Sequence, residues 1–577
     1  SLPRMLQEGG LVMSSGSSWF VWVNNLTADQ FEHLRTCVGL VDARREALGR
    51  THSLNPIAVL LSETTWEAGL TSAEDGYYDS STPRNLAFAL QDAYYGVDVV
   101  NEKTFRERRG HYRVVCVPAQ RVIAPDTFRR LWEFAAEGGT VLATGGAMRP
   151  GAEEHSETGP RLGLTRTFRS DHERLALQVG GERIPLRGVW HAHVRDAEVL
   201  ARFEDSDVPV LTSRPLRKGR VAYLALSGFP YPDEDGLAPW LMEKLGIPPM
   251  VSVTGPARDR HLVFSVRQRG ESQVIVHVSD LTTYADGQRV EPNSSHAIDA
   301  MRPLPELRVR LALPTGPKLV RAAPRTCASA AAWENGILRL TLRNFTTHAA
   351  VIMDTEPPAS VGFLPAGTER APVRKYEEPR VLLSEDFETT PVGKFPEKPI
   401  WTAQDDAETA IRVTDEAAAD GERSLAFVDS PDARASFVPY LMMRPRRLQR
   451  GRAKLSLDVR LEPGAKANIE LRDEGVKPYL VGPSLRFTGE GKLLAHDKEL
   501  ATFPVGEWIR VEMMLGLGYS EPTYDLTIAR RGQEARKFAK LRYRDATFFR
   551  CSWLGITSYG TAASKLYIDN IRLERLP

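Results

Sequence analysis

Strand-like and helix-like segments alternate along residues 55–146, and this alternation limits the possible folds of the chain more than any other feature. The series runs IAVLLSETTW, NLAFALQDAYYG, VDVVNE, YRVVCVPA, TFRRLWEFAAEGG and TVLATGG. Strands that alternate with helices of this length predict a parallel sheet with helices on both faces. We therefore expect an α/β domain here, in which Gly138 and Gly139 end one helix before the next strand begins.

The remaining chain favours β structure. Residues 180–228 indicate an antiparallel extension of the first sheet, and the helix-like APWLMEKLG closes that region. Short alternating stretches in residues 251–355 are typical of a β-sandwich, and a second all-β series follows in residues 381–577. Residues 356–380 are rich in proline and charge without periodicity, so we expect a linker there.

One strand and one helix precede these domains. Residues 11–24 predict a buried strand, and residues 27–48 predict an amphipathic helix that Thr27 can cap, with Gln30 at the third position after it. A single βα unit cannot bury a core alone, so it must pack on something else. The first residues, SLPRMLQEGG, lack an initiator Met and a signal-peptide pattern, and we expect the chain to be a processed or truncated piece of something longer.

Composition excludes several classes of partner. A length of 577 residues allows three or four domains. Lys and Arg (75) nearly balance Asp and Glu (74), without a basic stripe, so neither nucleic acid nor an anionic membrane is an expected partner. No apolar run reaches the roughly 18 residues that a membrane span needs. The four cysteines are far apart and form no CxxC, so we expect neither a zinc knuckle nor a disulfide framework.

Several blocks, in this order, resemble a known domain: NPIAVLLSETTW, DAYYGVDVVNE, YRVVCVPAQRVIAPDTFRRLWEFAAEGGTVLATGG and DVPVLTSRPLRKGRVAYLAL. They are similar to the glutamine-amidotransferase-like domain, also called the trimerisation domain, that follows the catalytic barrel of β-galactosidase-like glycoside hydrolases. The resemblance covers about residues 55–248. It implies an α/β flavodoxin-like fold of the class I glutamine amidotransferase type and a homo-oligomer formed through this domain. It also makes SSGSSWFVWVNN and the helix after it resemble the last βα unit of a (β/α)8 barrel.

The carboxyl-terminal blocks SEDFETTPVGKFP, DGERSLAF, GEWIRVEM and LYIDNIRL resemble a concanavalin-like or LamG-like jelly roll of secreted carbohydrate-active enzymes. This resemblance implies a carbohydrate partner and a secreted or periplasmic location. It also implies a structural calcium ion held by Glu388, Asp420 and Asp569, since calcium takes oxygen ligands; the alternative is that these carboxylates only cap turns. Aromatic residues that could include a sugar platform are Trp401, Tyr479, Trp508, Tyr519, Trp553 and Tyr559.

The turn after TVLATGG is where an amidotransferase would carry its cysteine nucleophile. Thr144, Gly145 and Gly146 occupy it without a cysteine, and neither GxGxxG nor GxxxxGK[ST] is present to bind phosphate. We therefore expect a purely structural turn. Cys116 lies in another strand without flanking glycines, and we interpret it as a buried structural residue; an amidase that uses Cys116 is the alternative.

Carboxylates and aromatic rings are dense in residues 62–79, SETTWEAGLTSAEDGYYD, directly after the first strand of the α/β sheet. Open parallel sheets bind ligands at the carboxyl ends of their strands. We interpret this segment as a sugar-proximal loop near the barrel mouth or a neighbouring subunit; a surface loop at a domain or subunit contact is the alternative. The candidate residues are Glu63, Trp66, Glu67, Asp75, Tyr77 and Tyr78.

Two further patterns are weaker. His191 and His193 share one face of a strand and could form half of a metal site, but a polar strand face is the favoured interpretation. Glycoside hydrolysis needs two carboxyl groups about 5 to 10 Å apart. The resemblance implies that these lie at the fourth and seventh barrel strands, which this chain does not contain, so no catalytic residue is named.

The sequence therefore predicts a multidomain protein in which an α/β flavodoxin-like domain precedes two all-β sandwich or jelly-roll domains. Its predicted function is that of a non-catalytic C-terminal portion of a glycoside hydrolase that acts on poly- or oligosaccharide, serving in assembly, active-site closure and carbohydrate binding. The alternative is a stand-alone glycan-binding or adhesion protein with a degenerate amidotransferase-like scaffold. The expected segments are 1–50 (barrel unit), 51–250 (α/β domain), 251–355 (β-sandwich), 356–380 (linker) and 381–577 (jelly roll).

Overall fold

A computed structural model of the chain shows a multidomain protein that is mostly β, with 49% strand and 14% helix. It divides into two compact units, residues 1–377 and 378–577. The structure describes residues 28–576 except 68–80, 121, 147–148, 151–157, 171–174, 187–188, 205, 227–228, 230–232, 234, 259, 286–287, 291–301, 328, 358–359, 373–379, 397–400, 405–408, 446–447, 449–450, 475–478, 518–522, 547, 549 and 561.

Unit 1 contains all seven α-helices of the described residues. They are α1 (Ala28–Asp42), α2 (Glu63–Glu67), α3 (Ser81–Asp92), α4 (Glu102–Arg108), α5 (Pro125–Ala136), α6 (Thr158–Arg161) and α7 (Leu237–Lys244). The strands of its first part are β1 (His52–Ser53), β2 (Ile57–Leu60), β3 (Val97–Val100), β4 (Val114–Pro118), β5 (Val122–Ile123), β6 (Thr140–Thr144), β7 (Arg149–Pro150), β8 (Leu164–Ser170), β9 (Leu175–Val179), β10 (Glu182–Leu186), β11 (Val189–Val194), β12 (Glu198–Arg202), β13 (Pro209–Leu216) and β14 (Gly219–Leu224).

The predicted parallel sheet is present. Seven strands lie in the order β12-β13-β14-β6-β4-β2-β3, and β14, β6, β4, β2 and β3 run parallel. Every residue of β2, β4 and β6 is buried, as expected for strands covered on both faces. The predicted antiparallel extension is also confirmed, because β13 pairs antiparallel with both β14 and β12.

The sequence of helix α5 explains where this helix begins and ends and which face it packs against the parallel sheet. Pro125 occupies its first turn, where the missing N–H costs nothing, and one apolar face is buried against the sheet. The helix ends at Ala136, and Gly138 adopts a φ of +124°. At Gly139 a Cβ atom would lie 2.3 Å from the Phe134 ring. The prediction that these two glycines end the helix is therefore confirmed.

A β-sandwich forms the second part of unit 1. Its strands are β15 (Val251–Thr254), β16 (Leu262–Arg269), β17 (Gln273–Asp280), β18 (Thr283–Ala285), β19 (Gln288–Val290), β20 (Leu304–Ala312), β21 (Leu319–Ala323), β22 (Ser329–Glu334), β23 (Ile337–Phe345) and β24 (His348–Asp354). One sheet has the order β1-β16-β17-β24-β21 and the other β15-β20-β23-β22, with an apolar core shared by residues of both sheets.

Two segments outside the predicted sandwich contribute to it. Strand β1 pairs with β16, with His52 opposite Gln268, although β1 precedes the whole α/β layer in sequence. Within the proline-rich segment, Leu364 is buried and donates its backbone N–H to the Pro249 carbonyl at 2.9 Å. Ala371 joins the sandwich core. Within the predicted linker, Leu364 and Ala371 therefore pack on unit 1, whereas Arg380 belongs to unit 2, where its carbonyl accepts the backbone N–H of Arg575 at 2.7 Å.

Helix α1 lies within the predicted range 27–48, whereas the predicted strand 11–24 and the Thr27 cap lie outside the described residues. Just after α1, the buried Arg44 side chain fastens this region to the sandwich. Its Nε donates to His348 Nδ1 at 3.0 Å and its Nη1 to the Leu40 carbonyl at 2.8 Å. His348 Nε2 lies 3.2 Å from His277 Nδ1. Because Nδ1 of His348 accepts from a guanidinium, His348 is neutral and donates from Nε2.

Unit 2 is a pair of antiparallel sheets packed over one apolar core. Its strands are β25 (Val381–Glu385), β26 (Trp401–Gln404), β27 (Ala410–Thr414), β28 (Ser424–Asp429), β29 (Tyr440–Met443), β30 (Gly451–Leu461), β31 (Ala467–Asp473), β32 (Leu480–Phe487), β33 (Lys492–Ala495), β34 (Lys498–Thr502), β35 (Ile509–Leu517), β36 (Thr523–Arg530), β37 (Arg536–Arg542), β38 (Trp553–Ser558) and β39 (Ser564–Leu576). The first sheet is β27-β28-β39-β30-β35-β36-β37, with β25 beside β39, and the second is β26-β29-β38-β31-β32-β33-β34.

We predict that unit 1 loses stability in acid through His277 and His348. Burial lowers the pKa of His277 from 6.5 to about 3, with Arg267 and Arg269 adding to the effect, and burial also lowers the pKa of His348. Between these pH values the unfolded chain binds more protons, so the free energy of unfolding falls as pH falls, by up to about 1.4 kcal/mol per pH unit for each histidine.

Urea denaturation between pH 7 and pH 4 tests this prediction. His277→Gln should flatten the pH dependence of the unit 1 transition, whatever it does to stability at pH 7. His193→Gln is the matched control because His193 is exposed on β11, and it should leave the slope unchanged. Equal slopes for the wild-type chain and His277→Gln would contradict the prediction.

Candidate functional site

Three loops meet in a polar network at the carboxyl edge of the parallel sheet, where such sheets place ligand crevices. Ser62 follows β2, and its backbone N–H donates to Gln120 Oε1 at 2.7 Å, after β4. The Ser62 hydroxyl donates to Glu102 Oε1 at 2.5 Å, after β3. Glu102 Oε2 accepts the backbone N–H of Glu63 at 2.8 Å. These side chains use one another as partners and so hold the three loops together.

The glycine turn after β6 is packed closed. Thr144 Oγ1 accepts the backbone N–H of Ala119 at 3.0 Å, and the buried Tyr223 hydroxyl donates to the Gly145 carbonyl at 2.7 Å. A Cβ atom at Gly146 would lie 2.7 Å from the Trp190 ring. In its described residues, the turn is therefore filled by the Trp190 ring and tied by Thr144 and Tyr223, which favours its interpretation as structural.

Cys116 lies inside β4, fully buried. Burial raises the pKa of its thiol to about 12, so the thiolate that a cysteine nucleophile requires is absent near neutral pH. The sequence-based interpretation of Cys116 as a buried structural residue agrees with this environment.

The sugar-proximal loop is described only at its start. Glu63 and Glu67 are exposed at the two ends of α2, which also contains Trp66. Glu63 Oε1 accepts from Asn101 Nδ2 at 2.7 Å, so this carboxylate joins the network at the sheet edge. The other three candidates, Asp75, Tyr77 and Tyr78, lie outside the described residues. The sugar-proximal loop stays a prediction.

The structure places both histidines of the predicted pair on one strand. His191 and His193 lie on β11, opposite Phe168 and Arg166 of β8. Among the described residues there is no group of three or more His, Cys, Asp or Glu side chains placed to hold a metal ion. A polar strand face remains the better interpretation of this pair.

Two of the predicted calcium ligands, Glu388 and Asp569, bind the loop of residues 419–423, and the third, Asp420, lies in that loop. All three carboxylates accept backbone N–H groups of the loop. The buried Asp569 accepts a loop N–H at 2.9 Å, and Glu388 Oε1 accepts two others at 2.9 and 3.0 Å. Asp420 Oδ1 caps the next backbone N–H at 3.0 Å. Burial raises the pKa of Asp569 to about 6. Calcium requires several oxygens on one centre, whereas these oxygens are engaged by N–H groups, so calcium binding stays a prediction.

The second sheet of unit 2 carries a polar face around β31. Ala467, Ile469 and Leu471 belong to the apolar core, so the alternate residues of β31 lie on the opposite face. Glu470 is there with a side chain only 6% exposed, and its Oε1 accepts from Arg472 Nε at 2.5 Å.

Arg472 is held between two aromatic rings. Its guanidinium carbon lies 4.2 Å from the centroid of the Trp553 ring and 4.4 Å from that of Tyr479. The Trp553 ring lies flat on the sheet over Gly555. A Cβ atom at that position would fall 1.9 Å from the ring, so only glycine leaves room for it. Tyr479 is 47% exposed. We name this group, Glu470, Arg472, Tyr479 and Trp553, the arginine clamp.

Two of the four residues of the arginine clamp were predicted from the sequence. Tyr479 and Trp553 are among the predicted aromatic candidates, whereas Arg472 and Glu470 are not. The alternation of polar and apolar residues in ANIELRD could have indicated a polar strand face. Of the other aromatic candidates, Trp508 packs near Tyr567 and Tyr559 lies near Arg486. Trp401 lies in β26, and Tyr519 is outside the described residues.

We predict that Glu102→Ala destabilises unit 1 by about 1.5 to 3 kcal/mol, because it removes a charged acceptor from Ser62 and from the backbone of Glu63. Glu107→Ala, on the exposed side of α4, should change the free energy of unfolding by less than about 0.5 kcal/mol. Urea denaturation of both variants measures the difference. Equal effects would show that the network does not stabilise the sheet edge.

Comparison with known proteins gives one family match. Residues 88–246 match the family model described as β-galactosidase trimerisation domain. No curated protein sequence matches the chain. Within the described residues, helices long and apolar enough to cross a membrane are absent.

Similar solved structures include an α-L-fucosidase isoenzyme 2 from Paenibacillus thiaminolyticus, with 18% identity, a TM-score of 0.47, and coverage of 62% of this chain and 57% of that one. A β-galactosidase from Bacillus circulans sp. alkalophilus has 18% identity and a TM-score of 0.38, over 54% of this chain and 45% of that one. An endo-β-1,4-glucuronan lyase from Trichoderma reesei has 10% identity and a TM-score of 0.26, over 34% of this chain and 95% of that one.

The chain covers only about half of the two hydrolases, 57% and 45% of their lengths. The family match over residues 88–246 falls on the segment whose sequence blocks resemble that domain. The resemblance of this chain to the C-terminal part of a β-galactosidase-like hydrolase, with its trimerisation domain, is thereby confirmed.

Proposed function

We propose that this chain is the non-catalytic C-terminal portion of a glycoside hydrolase that acts on poly- or oligosaccharide. Its roles are subunit assembly, closure of the active site and carbohydrate binding. The observation that carries the proposal is the match of residues 88–246 to the β-galactosidase trimerisation domain. In the proposed whole protein, hydrolysis takes place on a barrel whose carboxylates lie outside this chain.

The α/β domain, residues 51–250, is proposed to be of the flavodoxin-like, glutamine amidotransferase-like type. Its parallel strands lie in the order β3-β2-β4-β6-β14, which is 2-1-3-4-5 in sequence order and supports this fold. The closed glycine turn and the buried Cys116 support a scaffold without amidase chemistry. Residues 1–50 are proposed as the last βα unit of the barrel, supported by α1 and the Arg44 contacts.

The β-rich segments have proposed roles as well. Residues 251–355 form the proposed β-sandwich domain, 356–380 its connection, and 381–577 a concanavalin-like or LamG-like jelly roll that binds carbohydrate. The two packed sheets of unit 2 and its half-exposed Tyr479 support that assignment. A structural calcium ion at Glu388, Asp420 and Asp569, and a secreted or periplasmic location, belong to the same proposal.

Assembly is proposed to use the free edge of the parallel sheet. Strand β3 pairs only with β2 among the described strands. Val99 on β3 is 54% exposed and Leu61, just after β2, is 40% exposed. Large apolar side chains exposed beside an open strand edge support a contact with a second copy of the chain.

A stand-alone glycan-binding or adhesion protein is the second candidate function. It shares the carbohydrate-binding unit 2 but needs no barrel and no oligomer. A coding sequence that continues upstream with a barrel would favour the first function, and a natural start at Ser1 would favour the second.

We predict a homotrimer, about three times the chain mass of 64.2 kDa, in sedimentation equilibrium at micromolar concentration. Val99→Asp should raise the dissociation constant about tenfold or more, since a charge would be buried at the contact. Val392→Asp is the matched control, because Val392 is similarly exposed, 48%, but lies in a turn of unit 2 and not at an open strand edge. A monomer at all concentrations, or equal effects of both variants, would contradict the proposed assembly.

A further inference from the structure

The arginine clamp fixes a guanidinium in one orientation. Ring faces of Trp553 and Tyr479 cover Arg472 at 4.2 and 4.4 Å, and Glu470 binds its Nε. An arginine side chain normally loses considerable rotamer entropy when it binds a ligand. Here the stacking and the ion pair have already removed most of that freedom, so a ligand that binds the guanidinium bears a smaller entropic cost.

The terminal nitrogens of Arg472 remain open to a ligand. In the part of the chain that the structure describes, its protein hydrogen bonds end at Nε, and the side chain is 24% exposed. Arg460 on the other sheet provides a contrast, because Glu462 takes both its Nε at 3.0 Å and its Nη2 at 2.8 Å, beside the Tyr567 ring. The free fork of Arg472 matches the planar, two-oxygen geometry of a carboxylate.

The charges around the clamp favour an anion. Glu470 Oε2 also lies 4.0 Å from Arg544 Nη1, so within this group of three side chains two guanidinium groups face one carboxylate, with a net charge of plus one. An added carboxylate would neutralise that charge. Because Glu470 is nearly buried and Arg544 is 57% exposed, the positive side of the group is the one that solvent reaches.

A half-exposed aromatic ring lies beside the guanidinium. Asn468 and Ser484, which flank Glu470 on the same face, donate to its Oε2 at 3.3 and 3.4 Å and so hold the carboxylate of the clamp in place. Tyr479 is about half exposed and can stack against a pyranose. The expected occupant is therefore a hydroxylated ring that carries one carboxylate.

We propose that the arginine clamp of unit 2 binds uronic-acid residues of an acidic polysaccharide, with Arg472 as the carboxylate-binding residue and Arg544 adding charge. This inference rests on the proposed carbohydrate-binding function of unit 2 and names its ligand class. The carboxylate is the recognised group, and Tyr479 supports the ring beside it.

The test measures binding of the full chain to three polymers by affinity electrophoresis and calorimetry: polygalacturonate, the same polymer with its carboxyl groups chemically reduced to alcohols, and dextran sulfate. We expect binding to polygalacturonate that weakens at least tenfold after carboxyl reduction and weakens with added salt. Equal binding of the native and reduced polymers, or stronger binding of dextran sulfate, would overturn the uronate assignment. This comparison of ligands requires no variant to fold.

Substitutions of Arg472 test whether this residue binds the carboxylate. Arg472→Gln should weaken polygalacturonate binding about tenfold or more, and Arg472→Lys should restore only part of it, because a lysine lacks the planar fork. Arg460→Gln should stay within about twofold of the wild type, since Arg460 has a similar ion pair and ring contact on the other sheet. Unchanged binding by Arg472→Gln, with an unchanged melting temperature, would overturn the role of Arg472.

Different results would contradict the uronate ligand class and the carbohydrate-binding function. Binding to neutral polysaccharides such as galactan or xylan, without preference for the acidic polymer, would overturn the uronate inference and leave carbohydrate binding intact. Lack of binding to every polymer would overturn the carbohydrate-binding function itself.

Discussion

Burial of the central parallel strands on both faces is the constraint on which unit 1 depends. Strand β6 lies between β4 and β14 with all of its side chains buried, so helices must cover the sheet from both sides. Close contact is part of this arrangement: at Gly219, where β14 begins, a Cβ atom would lie 2.2 Å from the Gly139 carbonyl oxygen. Parallel strands also bring their carboxyl ends to one edge, which is why Ser62, Glu102 and Gln120 meet.

That edge is where an enzyme of this architecture would place its chemistry, and here its polar groups are used on one another. Ser62 and Glu63 bind Glu102, Thr144 holds the Ala119 backbone, and Tyr223 closes the glycine turn. In unit 2, by contrast, Arg472 is fixed by two rings, and among the described residues its side-chain hydrogen bonds end at Nε. On these contacts we base the proposal that unit 1 is a scaffold and unit 2 binds a ligand.

Local patterns predicted the parts of the fold that local physics decides. Continuous apolar runs identified β2, β4 and β6, and Gly138 and Gly139 located the end of α5. Contacts between distant segments were beyond such patterns. The pairing of His52 with Gln268 involves a strand of only two residues, and nothing near Arg44 in sequence indicates its bond to His348.

In the candidate site, too, the sequence indicated single residues but not the contacts between distant segments. Tyr479 and Trp553 could be selected as aromatic candidates, but the arginine between them could not, because the two rings come from different strands and loops that only the fold brings together. The predicted calcium ligands do converge on one loop, yet their oxygens meet N–H groups there, a detail that sequence spacing does not contain.

The central proposal is that this chain supports a glycoside hydrolase without performing its chemistry. The most direct measurement is the rate of glycosidic bond hydrolysis by the purified full chain, on aryl glycosides and on polysaccharides, compared with buffer alone. The account predicts no rate above that of buffer. Hydrolysis that increases in proportion to the concentration of the chain, and that stops when a carboxylate of this chain is replaced, would contradict it.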